Sequence, residues 1–505
     1  MSQRPGRVWL VGAGPGEPGL ITVRGQSVLS RAEVVLYDAL AHPALLEICA
    51  GAELRNVGKR YGQDSAGQDE IIRQMIELAR QGKRVVRLKG GDPFMFARGA
   101  EEALALAAAG IKFEIVPGVP SPVATSAYAG ISLTHREVSG SVTFITGSDR
   151  AGKDWSPESW KKLATATDTI CVLMGMRRIG EIARAIIDGG RSPSTPAAVI
   201  HWGARPEQRV VTSTLEHIAE VAARAGLSNP SIILVGEVVT LREKLSWYDC
   251  RPLSGKRVII PRAVEQARDT ANALRERGAA PIALPMIEIA PPPDVARFAR
   301  AVADLRRYDW VLFTSANAVE QLRSELDRLG LDARAFGAAS VGVVGPKTAE
   351  ALGQIGIKAD LVAREFVGEG LAGAVLAEGT PRRVLLLRAL AGRDALPDAL
   401  RASGSEVDVV AAYETKPLES SGAALRERIE AAQADAILFT SSSTVTSTLE
   451  ALGADAAQLL SRIALASIGP VTTRTLQDAG LEPTVQASAY TVDGLLDALE
   501  AHFTV

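Results

Sequence analysis

The stretch VVRLKGGDPFMFARGAEE, which runs from Val85 to Glu102, changes from strand to turn to helix within a few residues. Its short, mostly apolar beginning is typical of a buried strand. The GGDP sequence that follows would interrupt any strand or helix, because glycine and proline weaken both. Met95 to Leu106 then has a helical pattern, with Glu101 and Glu102 on a face of that helix. The stretch therefore predicts a tight, acid-bearing turn at the end of a strand.

The residue types in this turn indicate what it can bind. Gly90 and Gly91 let the backbone approach a ligand closely. Asp92 can accept hydrogen bonds from hydroxyl groups, and Lys89 supplies the turn's only positive charge. The turn is therefore better suited to a nucleoside than to a row of phosphates.

The whole chain repeats this alternation of short apolar runs and helical patterns. Such alternation predicts an α/β fold with mostly parallel strands. A length of 505 residues requires several domains. The pattern stops between about 245 and 255 and resumes with KRVIIPR at Lys256, so we place domains at 1–245 (lobes about 1–118 and 119–245) and 256–505, with a linker at 246–255.

The second half of the chain contains an internal repeat. VIIPRA and VLLLRA begin at Val258 and Val384, an offset of 126, and the two FTS sequences share that offset. VGPKT and IGPVT are 124 residues apart. Several coincidences in register predict a duplicated α/β unit whose two lobes form a cleft. The FTS and GPxT turns can line that cleft, or they can simply cap helices.

Composition limits the function classes. A net charge of −2 gives no reason to expect nucleic acid as a partner. The sequence shows no leader peptide and no apolar run of membrane-spanning length. Three distant cysteines and five scattered histidines have no metal-ligand spacing. We therefore expect a cytoplasmic protein without a metal and without a membrane or nucleic-acid partner.

The first strand ends in VGAGPGEPGLIT, whose G-x-G also occurs in dinucleotide-binding sites. Asp38 ends the second strand, where such a site keeps its ribose-binding acid. A nucleotide-dependent oxidoreductase is therefore an alternative. Pro15 and Pro18 oppose it, because proline removes the N–H donors that a pyrophosphate needs.

Later strand ends carry further turns: VPGVPS, VLMGM and IHWGAR. A methionine–glycine turn offers a thioether and bare backbone. Together the turns fit a nucleoside with a positive, non-phosphate tail, and S-adenosylmethionine is one candidate among several.

The first half resembles the uroporphyrinogen-III C-methyltransferases over about residues 6–245. Seven blocks agree in order: VGAGPGEPGLIT, AEVVLYDAL, VGKRYG, RLKGGDPFMFARGAEE, VPGVPSPVATSAYAGISLTHR, VLMGM and QRVV. The resemblance implies a two-lobed α/β methyltransferase that works as a homodimer. It implies transfer of two methyl groups from S-adenosylmethionine to uroporphyrinogen III, giving precorrin-2 and S-adenosylhomocysteine.

The same resemblance implies the roles of individual residues. Asp38 is the expected proton acceptor and Lys59 its partner, although Asp38 could be a strand-end cap and Lys59 a surface lysine. The implied cofactor contacts are Pro15, Gly90, Gly91, Asp92, Met95, Ser121, Met174 and Gly203. This sequence departs from the family pattern at Glu17, Ala97, Pro120 and Ala204.

The second half resembles uroporphyrinogen-III synthase, through VIIPR, LPMIEI, WVLFTSANAV, VGPKTAEAL, VLLLRA, VVAAYET, LFTSSSTV and SIGPVTTRTL. The resemblance implies a bilobed fold, with one lobe joining 256–288 to 416–505 and the other spanning 292–413. It implies closure of linear hydroxymethylbilane with inversion of the last pyrrole ring.

Tyr413 matches the synthase family's candidate general acid, although it could be an ordinary interlobe aromatic. The ligand contacts expected from the paired turns are Ser315, Thr348 and Thr472. Arginines suit the eight carboxylates of the substrate. The expected basic contacts are Arg262 and Arg388, with Arg393, Lys347 and Arg474 as further candidates.

The order of the two resemblances makes the product of the C-terminal half the substrate of the N-terminal half. A short linker then raises the effective concentration of the intermediate. The remaining alternative is that the C-terminal half only senses tetrapyrroles.

Overall fold

The computed structural model describes residues 6–49, 51–58, 67–147, 157–262, 264–363 and 368–504. Within these ranges no helix is both long enough and apolar enough to cross a bilayer. The chain divides into two compact units. The first comprises Met1–Val258, Asn272–Pro281 and Glu500–Val505, and the second comprises Ile259–Ala271 and Ile282–Leu499.

The first unit contains two five-stranded sheets with helices around them. Its strands are β1 (Arg7–Gly12), β2 (Val34–Tyr37), β3 (Glu53–Asn56), β4 (Arg84–Lys89), β5 (Lys112–Val116), β6 (Val142–Thr146), β7 (Thr169–Leu173), β8 (Pro196–His201), β9 (Arg209–Thr214) and β10 (Ser231–Val235). Its helices are α1 (Val23–Leu29), α2 (Pro43–Leu46), α3 (Gln68–Arg80), α4 (Gly99–Ala108), α5 (Ser121–Tyr128), α6 (Pro157–Ala166), α7 (Ile179–Asp188), α8 (Ile218–Arg224) and α9 (Arg242–Leu245).

The first sheet has the order β3-β2-β4-β1-β5, and all its pairings are parallel. The carboxyl ends of all five strands therefore lie at one edge. Val8, Leu10 and Val85 pack on one face with residues of α3 and α4, and Val11, Val86 and Leu88 pack on the other. Both faces are covered, which explains why the interior of β1 and the whole of β2 are almost continuously apolar.

The second sheet has the order β6-β7-β10-β8-β9. Only β6 and β7 are parallel, and the other three pairings are antiparallel. The prediction of an α/β fold is confirmed, but the expectation of mostly parallel strands is wrong for this sheet. For β8 and β9 the reason is that their connection is too short to hold a crossover helix.

The predicted linker at 246–255 is a packed segment. Tyr248 is 2% exposed and Leu253 is fully buried. Tyr128 contacts the rings of Trp247 and Tyr248 at centroid distances of 5.2 and 4.8 Å. Asp249 accepts a hydrogen bond from Arg242 at 2.5 Å. An aromatic cluster and an ion pair therefore hold this segment to the first unit, whereas its lack of periodicity suggested only a connection.

The remaining strands are β11 (Arg257–Ile260), β12 (Ala280–Ala283), β13 (Ile287–Ala290), β14 (Trp310–Phe313), β15 (Ser340–Val343), β16 (Leu361–Val362), β17 (Arg383–Ala389), β18 (Glu406–Pro417), β19 (Ala436–Phe439), β20 (Ala464–Ser467) and β21 (Val485–Gln486). The remaining helices are α10 (Val264–Glu276), α11 (Val295–Ala303), α12 (Ala316–Leu329), α13 (Pro346–Gln354), α14 (Gly368–Ala377), α15 (Ala395–Ala402), α16 (Glu419–Glu430), α17 (Ser442–Leu452), α18 (Ala456–Leu460), α19 (Pro470–Asp478) and α20 (Val492–Thr504). Short 3₁₀ helices are Pro18–Leu20, Glu47–Cys49, Met176–Arg178, Glu237–Leu241, Leu305–Arg307 and Ala333–Phe336.

The internal repeat is visible in these positions. β11 starts at 257 and β17 at 383, and β14 starts at 310 and β19 at 436, so both pairs are 126 residues apart. β15 and β20, at 340 and 464, are 124 apart. The sheets have the orders β12-β11-β19-β20-β21 and β13-β18-β17-β14-β15-β16. The first strand of each repeat therefore pairs with strands of the other repeat, so the duplicated halves exchange their first strands.

Candidate functional site

Three glycine turns meet at the carboxyl edge of the first sheet. The amide of Gly91 donates to the carbonyl of Gly14 at 2.8 Å, and the amide of Gly14 donates back to Gly91 at 3.2 Å. A Cβ at Gly12 would lie 2.5 Å from Cα of Gly118, and a Cβ at Gly118 would lie 2.3 Å from the carbonyl oxygen of Gly91. The turns after β1, β4 and β5 thus touch backbone to backbone, which explains why glycine is needed at these positions.

Asp92 joins two of these turns. Its Oδ1 accepts from the amide of Phe94 at 2.8 Å and its Oδ2 accepts from the amide of Gly118 at 3.1 Å. The sequence indicated hydroxyl binding for this carboxylate, whereas the structure shows it fixing backbone. Contacts of Asp92 with a ligand stay a prediction.

The helix after the GGDP turn begins later than predicted. It starts at Gly99, and its N-cap Arg98 is left-handed, with φ 61°. Met95 therefore belongs to the turn and is half-buried. A local pattern could not reveal this start, because the same residues are good helix formers.

Non-glycine residues with left-handed backbone conformation are concentrated in the predicted cofactor turns. Six non-glycine residues in the described part of the chain have positive φ, and all but Ala432 lie in GDPFMFARG, VLMGM or IHWGAR. Such conformations cost free energy and concentrate at binding sites. The five are Phe96, Arg98, Met174, Trp202 and Ala204.

The second lobe of this unit contributes Arg205, which the sequence analysis did not single out. Its guanidinium lies 4.7 Å from the ring of Trp202, and its Nη2 donates to the carbonyl of Leu40. A Cβ at Gly16 would lie 2.3 Å from its Nε. Burial lowers the pKa of Arg205. Arg205 therefore packs against the turn that contains the predicted cofactor contact Pro15.

Two other predicted cofactor contacts, Ser121 and Gly203, also pack closely against neighbouring elements. Ser121 is the first residue of α5, and its amide nitrogen would be 3.3 Å from a Cβ at Gly91. A Cβ at Gly203 would meet the side chain of Thr125 at 2.4 Å. The structure therefore brings Gly90, Gly91 and Ser121 to one edge, while Gly203 packs on the same short helix.

Asp38 lies at this edge, directly after β2. Its Oδ1 accepts a hydrogen bond from Nη2 of Arg87 at 2.5 Å, and Oδ2 has no partner in the described part of the chain. The side chain is 29% exposed. Asp38 thus has one oxygen fixed by Arg87 and a second that is available for a further contact. Lys59, its predicted partner, lies outside the described residues.

A buried charge network lies beneath Asp38. Glu102 is fully buried, and its Oε1 accepts from Lys89 at 2.9 Å, Gln68 at 3.0 Å and Arg87 at 3.3 Å. The face of α4 that carries Glu102 therefore packs against β4. Burial, with Arg87 nearby, lowers the pKa of Lys89. The signal in the sequence was two cations spaced by two on one face of β4, inside an otherwise apolar strand.

His42 is a half-buried base whose charged neighbours include Arg205. Its Nδ1 accepts from the amide of Ala44 at 3.1 Å. Burial, and then Arg205, lowers the pKa of His42 from 6.5 to about 4. The ring is therefore neutral at pH 7.

We expect His42 to make the first unit less stable in acid. Because its pKa is lower in the folded state, unfolded chains bind the proton first, and stability is lost as pH falls from 6.5 towards 4. Between pH 7 and pH 5 the loss should be roughly 2 kcal/mol. Urea unfolding of His42→Asn, whose side-chain oxygen can replace the cap, should show a smaller loss over the same range. An equal loss in both proteins would contradict this assignment.

In the second unit, Ser315 and Tyr413 meet although 98 residues separate them. Oγ of Ser315 lies 3.1 Å from the hydroxyl of Tyr413 and caps α12 by accepting from Ala318 at 3.3 Å. Tyr413 is 6% exposed. Thr348 and Thr472 are buried at equivalent positions in the first turns of α13 and α19. The structure therefore joins Ser315 to Tyr413 and shows that the threonines belong to helix starts.

The two predicted arginine contacts differ. Arg388 is 9% exposed, donating to Oδ1 of Asp394 at 2.7 Å and to the carbonyl of Arg393. The guanidinium of Arg388 thus stabilises the loop that follows β17. Arg262 is half-buried without a described carboxylate partner, and burial lowers its pKa. Arg262 is therefore the better placed of the two to receive a substrate carboxylate.

Comparisons with known proteins agree with the two resemblances. The family model of tetrapyrrole (corrin/porphyrin) methylases matches residues 7–219, and that of uroporphyrinogen-III synthase HemD matches residues 268–497. The uroporphyrinogen-III C-methyltransferase of Bacillus subtilis (strain 168) is 42% identical over 245 residues, which are 48% of this chain and 95% of that protein. A crystal structure of uroporphyrin-III C-methyl transferase from Thermus thermophilus, complexed with S-adenyl homocysteine, is 37% identical and covers 46% of this chain and 99% of that one, with a TM-score of 0.41.

One relative matches along the whole chain. The porphyrin biosynthesis protein HemD of Ruminiclostridium josui is 35% identical over 496 residues, which are 98% of this chain and 97% of that protein. This match therefore spans both of the regions that the two family models cover in this chain. The chain belongs to the family of porphyrin biosynthesis proteins in which a tetrapyrrole methylase is followed by a uroporphyrinogen-III synthase.

Proposed function

We propose that this chain catalyses two consecutive steps of tetrapyrrole synthesis. The C-terminal half closes hydroxymethylbilane to uroporphyrinogen III. The N-terminal half transfers two methyl groups from S-adenosylmethionine to that product, giving precorrin-2. The observation that carries the methyltransferase proposal is that Oδ2 of Asp38, which has no partner among the described residues, lies at the same sheet edge as the three glycine turns.

The geometry suits methyl transfer. S-adenosylmethionine carries an already activated methyl group, so alignment supplies most of the rate. An electron-rich pyrrole carbon attacks the methyl, the carbon–sulfur bond breaks, and S-adenosylhomocysteine leaves. The alkylated ring must then lose a proton, which Asp38 can accept through Oδ2. The glycine turns let backbone groups contact an adenosine without a side chain intervening.

The geometry of the second unit suits ring closure. The hydroxyl of Tyr413, held by Ser315, can donate a proton to the departing hydroxyl of hydroxymethylbilane. The guanidinium of Arg262, which has no carboxylate partner in the described ranges, can bind one of the substrate carboxylates. Unassisted closure yields the uninverted isomer, so the main task of the protein is to hold the chain of pyrroles in a folded shape.

The test supplies the purified chain with hydroxymethylbilane and methyl-labelled S-adenosylmethionine under anaerobic conditions, then oxidises and separates the products. Dimethylated, labelled type III product supports both activities. Label only with added uroporphyrinogen III supports the methyltransferase and makes the C-terminal half a sensor. No label from either substrate would overturn the proposal.

Tyr413→Phe should slow formation of uroporphyrinogen III about tenfold to hundredfold, because the leaving hydroxyl loses its acid. The share of type I product should rise, since slow catalysis leaves time for spontaneous closure. The matched control is Tyr308→Phe, which removes another buried hydroxyl, the one that donates to Asp408 at 2.8 Å. The isomer ratio, measured by chromatography, should change only in the Tyr413 variant. An unchanged ratio and rate would exclude Tyr413 as the acid.

Other parts of the proposal are the pairing of Lys59 with Asp38, homodimer formation through the methyltransferase half, a cytoplasmic location and catalysis without a metal. The first two follow from the family resemblance and the last two from composition and residue spacing, and each stays a prediction.

A further inference from the structure

The side chain of Arg87 is placed between the candidate base and a buried anchor. Four of its N–H groups have acceptors within the fold. Nη2 donates to Asp38 at 2.5 Å, Nε donates to Glu102 at 3.3 Å, and Nη1 donates to the carbonyls of Leu36 and Leu88 at 3.3 and 3.2 Å. A guanidinium is a rigid planar fork, so fixing these donors fixes its orientation.

The anchor itself is held in place. Glu102 is fully buried on α4, and Lys89, on the same face of β4 as Arg87, donates to it at 2.9 Å. The two cations and the carboxylates of Glu102 and Asp38 balance in charge. Buried charges persist when they are paired and hydrogen-bonded. This network lies on the α3 and α4 face of the sheet, away from solvent.

We propose that Arg87 is a positioning residue for methyl transfer: anchored by Glu102 and Lys89, it binds Oδ1 of Asp38 and turns Oδ2 towards the substrate. The inference rests on the proposed function, because it assigns Arg87 a role through Asp38. Arg87 does not touch the substrate, since it is 3% exposed. Because Glu102 is on α4 and Arg87 is on β4, the packing of α4 on β4 sets the orientation of Oδ2 of Asp38.

A double-mutant cycle tests this role. The full chain is assayed for methyl transfer from labelled S-adenosylmethionine to uroporphyrinogen III as wild type, Arg87→Met, Asp38→Asn and the double variant. We expect Arg87→Met to lower kcat about 100-fold with KM within threefold, and to lower it no further in the Asp38→Asn background. A merely structural role would lower both backgrounds by the same factor.

Folding is checked by the Kd of S-adenosylmethionine, measured by calorimetry, which should stay within threefold of wild type. If Arg87→Met does not bind S-adenosylmethionine, the double-mutant cycle is repeated with Arg87→Lys and with Glu102→Gln in its place. Arg87→Lys keeps a cation at position 87, and Glu102→Gln keeps the shape of the side chain that anchors it. Each variant should lower kcat about tenfold only when Asp38 is present. The matched control is Glu77→Gln, which removes a surface carboxylate that pairs with Arg73 at 2.6 Å and should change neither kcat nor KM.

The outcomes separate two failures. If Asp38→Asn lowers kcat while every Arg87 and Glu102 variant stays within twofold of wild type, or acts equally in both backgrounds, the inference is overturned and the proposed function stands. If the wild type transfers methyl groups and Asp38→Asn does so equally fast, Asp38 is not the base and the inference falls with it.

Discussion

Asp38→Asn is expected to lower kcat for methyl transfer to uroporphyrinogen III by about 100- to 1,000-fold. Asparagine keeps the shape of the side chain and an oxygen that can accept from Arg87, but it cannot take a proton. The Kd of S-adenosylmethionine should stay within threefold of wild type, because the glycine turns are untouched. Single-turnover transfer of labelled methyl groups, combined with calorimetry for the Kd, separates these two quantities.

Asp249→Asn is the control for this substitution. Asp249 also pairs with an arginine in the same unit, Arg242, at 2.5 Å, and its side chain is similarly half-buried. Its loss should lower stability and leave kcat unchanged. If both variants lowered kcat equally, the effect would come from breaking an arginine–aspartate pair, and Asp38 would lose its assignment as the base.

Gly118→Ala is expected to weaken S-adenosylmethionine binding at least tenfold and to destabilise the first unit by roughly 2–3 kcal/mol. The added Cβ would lie 2.3 Å from the carbonyl of Gly91 and 2.8 Å from Cα of Gly12. Both neighbours are backbone at strand ends, so neither can move aside as a flexible side chain would. The amide of Gly118 would also be drawn away from Asp92, loosening the turn after β4.

Calorimetry with S-adenosylmethionine and urea unfolding measure the two effects of Gly118→Ala. Gly180→Ala serves as its control, because a Cβ there meets only the side chain of Ala219 at 3.8 Å and alanine suits its helix better than glycine. It should leave binding unchanged and raise stability slightly. Normal binding by Gly118→Ala would show that the three turns do not form the cofactor site.

The left-handed residues show how far local reasoning reaches. Glycine–proline turns are visible in the sequence because their dihedral preferences are intrinsic. Arg98 and Met174 have no such preference, yet both have positive φ. Only the packing around them can impose that conformation, so the start of α4 at Gly99 could not be located from the sequence.

The same distinction applies to charge. A glutamate on a helix usually faces water, and the helical pattern alone does not show that Glu102 is an exception. In the structure Glu102 is fully buried against Arg87 and Lys89. The helical period could place Glu102 on the buried or on the exposed side of α4. The cations that stabilise Glu102 are on β4, whose neighbouring strands are apolar.

The sequence by itself determined the order of the turns and the duplication of the second half, because glycine, proline and repeat spacing act locally or by counting. The candidate base Asp38 came from the family resemblance and stays a prediction. Tertiary structure alone decided which groups meet. It brought Ser315 to Tyr413 and buried Glu102 beneath Asp38. These contacts depend on how helices pack on sheets. A charged side chain can be buried only where its neighbours fit its shape and pair with its charge, and those neighbours come from distant segments of the chain.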